Sequence, residues 1–474
     1  LEGEKMSISK AITEMLFGIE YKDISEKAVN AAKKLLLDSL GTAIAGHNAP
    51  GVEEVFLLMS EWGGAPQAGV FTKGIKLPVP NTVFINSTMI HALDFDDVHR
   101  PAALHITSTV VPVALAVGEL MHSSGKDVLR SIILGIECAA RLGTEYFTRV
   151  KHFGFLPSSV IGGFGATITA CLLLGMPISQ TVNALGIFYS HASGNRQALY
   201  DLSLTKRIQP AVAAKAAVFS ALLASKGITG PENAFEGQAG LYNVYADSGV
   251  PAEASLISRR GFYEIERVTI KRFPTCGADH AAIMAAIDLH RIYGFSFDQI
   301  SKVGVYLGEG GNPMVDNAFI MEGNLQVNAQ FSAPYAVALA LLRGRVGIQD
   351  ISEEQIRKDI EVAQLASKVE IIRHWDYEKP DIIPNGIPAY HYDKQMVRVQ
   401  TNDGNVYEKD RMQRDWIQPD LVSDKEILEK FLENIEYSNV IKYDNAKKIA
   451  DNIMHLDQIC DITESEWFRL IMGE

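Results

Sequence analysis

The sequence predicts a mainly α-helical protein with a smaller α+β lid: a large helical domain formed by both chain ends, with the α+β unit inserted between them. Three observations predict it. Apolar residues recur at helical spacing from Ser25 to about Gly227, strand-like β-branched runs and a hairpin signal follow Val268, and charged amphipathic helices return after Asp420. At 474 residues the chain exceeds what one hydrophobic core usually serves. The expected boundaries are 6–267 for the first helical part, 268–415 for the lid and 416–474 for the C-terminal helical part.

In chain order, Ala28 to Ile44 carries apolar residues at helical spacing, with Lys33 and Lys34 on the outer face. Val110 to Met121, Val128 to Phe147, Ser159 to Leu174, Ile178 to Ser193 and Ala211 to Ala224 continue the pattern, rich in small residues that let helices pack closely. The uncharged run Val160 to Met176 approaches membrane-spanning length. Its Gly, Ala and Thr content and its flanking Pro157 and Pro177 predict a buried helix instead. Gly162-Gly163-Phe164-Gly165 follows no strand and lacks the dinucleotide-binding spacing, so it reads as helix packing. Beyond Val268, the segments Val303 to Leu307, Val369 to Ile372 and Met396 to Gln400 read as strands, and Asn402-Asp403-Gly404 before Val406-Tyr407 as a hairpin turn. Helices at Ala278 to Tyr293 and Pro334 to Leu342 alternate with them. The tail predicts helices at Lys425 to Ile435 and Asn445 to Met454, packing back on the helical domain.

A net charge of −13 without a basic stripe argues against nucleic-acid binding, which rests on clustered Lys and Arg. With 47% hydrophobic and 21% charged residues the chain is a folded globular one, not a disordered one. Cys138, Cys171, Cys276 and Cys460 lie far apart and form no C-x-x-C, so neither a disulfide framework nor a cysteine-ligated cluster is expected. The segment before Met6 has no apolar signal core, and the expectation is a cytoplasmic protein, without membrane association, that starts at Met6.

The chemistry concentrates between His91 and His105, where Asp94, Asp96, Asp97 and three histidines share fifteen positions. Three readings compete. Such residues can hold a divalent ion, although no zinc or calcium spacing is present. Asp96 or Asp97 can cap a helix starting near Pro101. An imidazole held by a carboxylate is also the standard tool for moving a proton near neutral pH. Two basic pairs, Lys206-Arg207 and Lys271-Arg272, each precede a proline and flank apolar segments. In a partly dry cleft they would clamp carboxylates and stabilise an enediolate; alone, each pair is a solvated surface feature. Cys276, with His280 one helical turn away, can be a nucleophile or a small buried residue. Arg141 and Arg196 are candidates for anion binding or for plain salt bridges.

Taken together, Leu37-Asp38-Ser39-Leu40-Gly41, His91-Ala92-Leu93-Asp94-Phe95-Asp96-Asp97, Gly135 to Arg141, Thr205-Lys206-Arg207, Lys271-Arg272-Phe273-Pro274 and Gln330 to Tyr335 resemble the MmgE/PrpD family. That family includes 2-methylcitrate dehydratases, cis-aconitate decarboxylases and iminodisuccinate epimerase, and the likeness runs from about Ile12 to about Asp457. The resemblance implies a homodimer, a cleft between helical domain and lid, and no metal or other cofactor. It places Asp94, His105, Lys206 and Lys271 in the family's catalytic positions. Arg207, Arg272, Cys276 and Arg141 are the expected substrate-binding residues. His105 stands one residue later relative to Asp94 than in the decarboxylase pattern.

Three departures matter. Leu156 before Pro157 replaces a usual His, Gln209 replaces the His of Thr-Lys-Arg-Leu-His-Pro, and Cys276 replaces a second decarboxylase histidine. The expected function is proton abstraction next to a carboxylate of a small di- or tricarboxylate, with His105 oriented by Asp94 moving the proton and both lysines binding carboxylates. A 2-methylcitrate dehydratase-like lyase leads. An epimerase, a cis-aconitate decarboxylase-like enzyme, a metal-dependent hydrolase using His91, Asp94 and His99, and a carboxylate-binding protein with a disabled site are the alternatives.

Overall fold

Helices dominate because Ser side chains start them and apolar stripes bury them. The computed structural model describes residues 6–150, 154–258, 260–308, 313–373, 375, 394–413, 415 and 422–473. Ser25 accepts from the Ala28 amide to open the helix Glu26–Ala45, Ser124 accepts from Asp127 to open Gly125–Phe147, and Ser423 with Glu426 forms a capping box ahead of Asp424–Ser438. Each satisfies an amide that the helix itself cannot.

One hydrophobic core gathers side chains from Ile8 to Ile270 together with Val422 to Met472, so both chain ends build the same helical body. Close approach within it depends on glycine. A Cβ on Gly165 would meet the Gly135 carbonyl at 2.3 Å, so Gly162–Leu173 and Gly125–Phe147 cross nearly backbone to backbone. This is the packing role expected of the glycine run. The Val160 to Met176 segment is broken, however, with Pro157–Val160 as a separate turn before Gly162–Leu173. The helix Thr205–Ser225 is the one among the described residues long and apolar enough to cross a membrane, and it is largely buried inside the fold.

A second core runs from Ala282 to Val399. It lies on a four-stranded sheet ordered Val369–Ile372, Ile300–Tyr306, Lys394–Thr401, Val406–Met412, the first pair parallel and the others antiparallel. The hairpin signal is realised: Gly404 has φ +87° and its amide donates to the Thr401 carbonyl. Helices His280–Tyr293 and Ala333–Arg343 pack together in this core, the first starting two residues later than the sequence pattern suggests.

The first body holds the segment leading to Lys271. Val98–His99 pairs antiparallel with Val268–Thr269, and Glu264 receives His99 Nε2 at 3.0 Å. Both side chains of this pair are fully buried. This short ribbon brings the Asp94 loop and the segment leading to Lys271 side by side. Between the two cores, Leu156, Leu199, Met314, Val327 and Phe331 form a small apolar seam that includes Cys276 at its edge.

Candidate active site

The helix Val79–His91 ends in a loop whose backbone is strained at one residue. Asp94 has φ +51°, left-handed territory that Asp and Asn tolerate better than other side chains. That conformation turns the Asp94 carboxylate between two ammonium groups. Lys206, in the first turn of Thr205–Ser225, donates to Oδ1, and Lys271 donates to Oδ2 at 2.8 Å and to the Asp94 carbonyl at 2.6 Å. All three side chains are buried. Burial alone would raise the Asp94 carboxyl, but Lys206 and then Lys271 hold it well below the usual carboxylate range.

Two residues on, Asp96 accepts from His91 Nδ1 at 2.8 Å, and its other oxygen lies 3.5 Å from His105 Nδ1. The two imidazoles meet edge to face with centroids 4.9 Å apart. His105 Nδ1 is 2.8 Å from the Asp97 carbonyl, an acceptor only, so Nδ1 carries the ring proton and Nε2 carries the lone pair. The sequence reading had Asp94 orienting His105; the structure gives that task to the Asp97 carbonyl and Asp96, because Asp94 is engaged by the lysines. The His105 backbone is fixed as well, its amide donating to Ser158 Oγ at 2.9 Å. Burial, opposed by Asp96 and reinforced by Lys271 and Lys206, pushes the His105 imidazole down to about 3. It is a neutral base at physiological pH.

Asp97 does cap a helix, but at Thr107–Leu120 and not near Pro101: it accepts from the Ile106 and Thr107 amides at 3.2 and 3.0 Å and from the Thr107 hydroxyl. Burial and the Asp96 charge push its carboxyl up to about 7 against those donors. His99 belongs to the ribbon with Glu264 and faces away from the cluster's proton chemistry. His280 is buried against Phe273, ring to ring at 5.1 Å.

Four donor atoms, from His91, Asp94, Asp96 and His105, lie within 4.8 Å of one another. The set does not fit a divalent cation, since an ion there would share Asp94 with two ammonium groups and suffer their repulsion.

The expected substrate-binding residues are dispersed. Arg207 donates to the Pro50 carbonyl at 2.7 Å and towards Gln330 Oε1 at 3.4 Å, while Gln330 donates to the Leu93 carbonyl at 2.6 Å. It braces the loop from behind, and burial lowers its guanidinium to about 10. Arg272 points to Glu426 at 3.7 Å on the C-terminal helical part. Arg141 pairs with Glu137 at 2.6 Å and donates to the carbonyls of Leu256 and Ser258 at 2.7 and 2.8 Å. Those three contacts give Arg141 a structural duty, bracing the turn at Leu256–Ser258. Cys276 lies within electrostatic reach of both Asp94 and Lys271, and burial raises its thiol above the ordinary value, against nucleophilic use.

The departures have physical accounts. Leu156 and Cys276 share the apolar seam whose Phe331 ring lies 5.4 Å from the Lys206 ammonium. Gln209 brackets Asn195, accepting from its amide at 2.8 Å and donating to its carbonyl at 2.9 Å, a bidentate grip that imidazole cannot make. Gln330 and Ser158 were missed as site residues. Gln330 opens one of the motifs, but its type alone gave no hint of a backbone-bracing role.

The assembly as a whole, one neutral imidazole base beside two ammonium groups on a shared carboxylate, is equipment for acid/base work on an anion. Residues 10–253 match the MmgE/PrpD N-terminal domain and residues 273–456 the MmgE/PrpD C-terminal domain, and the chain belongs to the MmgE/PrpD family. It is 26% identical over 474 residues to cis-aconitate decarboxylase of Homo sapiens, covering 96% of this chain and 93% of that protein. It is 25% identical over 472 residues to the cis-aconitate decarboxylase-like protein oryM of Aspergillus oryzae, covering 95% and 94%. To cis-aconitate decarboxylase of Aspergillus terreus it is 25% identical over 479 residues, covering 97% and 95%.

Proposed function

We propose that the protein is a cofactor-independent lyase that creates and quenches a carbanion next to a carboxylate of a small di- or tricarboxylate. The observation that carries this reading is the pairing of a neutral His105, whose Nε2 holds the lone pair, with Lys206 and Lys271. An ammonium has three N–H groups. Lys206 uses one on Asp94 and Lys271 uses two, which leaves donors on both for a substrate carboxylate. Those donors would stabilise the enediolate that forms as charge moves onto the carboxylate oxygens. Asp94 holds both ammonium groups on one carboxylate, and His105 Nε2 takes or returns the proton. Once a polyanionic substrate sits against the lysines, their push on His105 is offset, and the imidazolium becomes accessible for the return step.

The names of the relatives favour loss of carbon dioxide from a cis-aconitate-like substrate, and dehydration of the 2-methylcitrate type uses the same intermediate. The apolar seam beside Lys206 suits the hydrocarbon portion of such a molecule. A homodimer, implied by the family resemblance, belongs to the proposal; a monomer by sedimentation equilibrium would remove it.

The test is incubation with cis-aconitate, 2-methylcitrate, citrate and iminodisuccinate in deuterated water, followed by NMR. Carbon dioxide release or a new double bond with His105-dependent deuterium uptake supports the lyase. Deuterium uptake with no change in bonding indicates epimerisation, and binding of all four without exchange contradicts catalysis.

A further inference from the structure

Beneath the catalytic loop lies a second buried ion pair that the proposed mechanism does not use. Lys430, from the helix Asp424–Ser438, lies 2.7 Å from Asp38 on the helix Glu26–Ala45, and both side chains are nearly withdrawn from solvent. The same ammonium donates to the Phe95 carbonyl at 2.9 Å and sits 3.8 Å from the centroid of the Phe95 ring. Phe95 is the residue between Asp94, which bridges the lysines, and Asp96, which bridges the histidines.

We propose that Lys430 and Asp38 are a positioning pair that holds the Asp94–Asp96 segment in its strained, productive conformation. Asp94 is left-handed at φ +51°, and a strained backbone persists only where its surroundings over-determine it. Gln330 grips the Leu93 carbonyl on one side of Asp94 and Lys430 grips the Phe95 carbonyl on the other. Gln330 thereby holds the Leu93–Asp94 peptide plane and Lys430 the Phe95–Asp96 plane, while Lys271 holds the Asp94 carbonyl between them, and together they set the direction of the Asp94 carboxylate. Gly41 lets the supporting helices approach closely: a Cβ there would meet Phe431 at 3.0 Å, one residue from Lys430. The pair also acts through its field. Asp38 and Lys430 each interact electrostatically with Asp96 and Lys271, so the pair's polarity reaches the groups that set the charge on His105. The C-terminal helical part thus contributes to the site without touching substrate.

The experiment compares the full-length wild type with Lys430→Met, Lys430→Arg and the double variant Asp38→Asn/Lys430→Met. It uses thermal melts, kcat and KM on the carboxylate the wild type turns over, and histidine ring nitrogen NMR. The double variant guards against misfolding, because it leaves no charge buried alone. A displacement of the catalytic loop predicts that kcat falls about a hundredfold in the Met variants while KM changes by less than about threefold. The His105 and His91 ring resonances move in the Met variants, and Lys430→Arg, which keeps the cation and donors, returns both readouts towards wild type. Unchanged ring resonances and kcat in the folded double variant overturn the proposal and leave the pair a plain core ion pair. The kinetic arm rests on the proposed reaction. The NMR arm does not: were the wild type inactive on every carboxylate, shifted ring resonances would still support the pair's role and unshifted ones would overturn it.

Discussion

Replacing Asp94 by Asn isolates the charge at the centre of the site. Asn tolerates the left-handed backbone that Asp94 adopts, so the substitution leaves the turn intact and removes the negative charge alone, whereas Ala would add backbone strain. At 2.8 Å and an effective dielectric near 20, the attraction between Asp94 and the Lys271 ammonium is about 6 kcal/mol before desolvation is counted. Removing one partner of a buried pair costs about 3–5 kcal/mol net. Two ammonium groups lose their partner here and then face each other, so the loss belongs at the upper end of that range. Lys206→Met, which leaves Asp94 paired with Lys271, costs less, about 2 kcal/mol.

Urea denaturation followed by circular dichroism at pH 7 measures the loss. An Asp94→Asn variant within about 1 kcal/mol of wild type would refute the shared-carboxylate account, since breaking a buried pair on this scale cannot be that cheap.

Other outcomes follow from the rest of the site. Because His105 titrates near 3 in the fold and near 6.5 when unfolded, the unfolded chain binds a proton that the folded one refuses between those values. Its contribution to stability is therefore complete above pH 6.5 and declines as pH falls towards 3, and His105→Gln flattens that part of a stability-versus-pH curve. In kinetics, the acid limb of kcat/KM, which reports the free enzyme, lies below the ordinary histidine range, and that of kcat lies higher because bound carboxylates favour the imidazolium; coincident limbs in steady-state assays would contradict this. Arg141→Ala breaks the pairing with Glu137 and costs about 3 kcal/mol or more in a urea melt, while KM for a carboxylate stays unchanged. In the Leu156→His/Cys276→His variant, which restores two imidazoles usual in relatives, cis-aconitate turnover rises about tenfold or more, read as carbon dioxide release.

Helix and strand placement was legible because it rests on local periodicity. Ala28 to Ile44 and the Asn402 to Gly404 turn lie within an element and a turn that the structure contains, and Val303 to Leu307 overruns the strand Ile300–Tyr306 by one residue. Element ends were less legible: the break at Ile161 and the late start at His280 follow from packing that no window of sequence contains. For the site, residue types and motifs pointed to Asp94, His105, Lys206 and Lys271, and the structure gathers these four. The wiring among them was not legible. That Asp94 would face lysines, and that His105 would be held by the Asp97 carbonyl, depends on a left-handed residue and on a ribbon joining His99 to Val268 across the chain. Arg141 and Arg207 are ambiguous in sequence for a related reason. A buried arginine reads the same in sequence whether its partners are backbone carbonyls or a ligand.

The most direct measurement is a crystal structure of His105→Ala soaked with cis-aconitate or 2-methylcitrate. The account predicts one substrate carboxylate about 3 Å from the Lys206 and Lys271 ammonium groups, with the adjacent carbon about 3–3.5 Å from the position His105 Nε2 occupies in the wild type. A carboxylate bound at Arg141 or Arg272, with both lysines still closed on Asp94 and nothing beside residue 105, would contradict it.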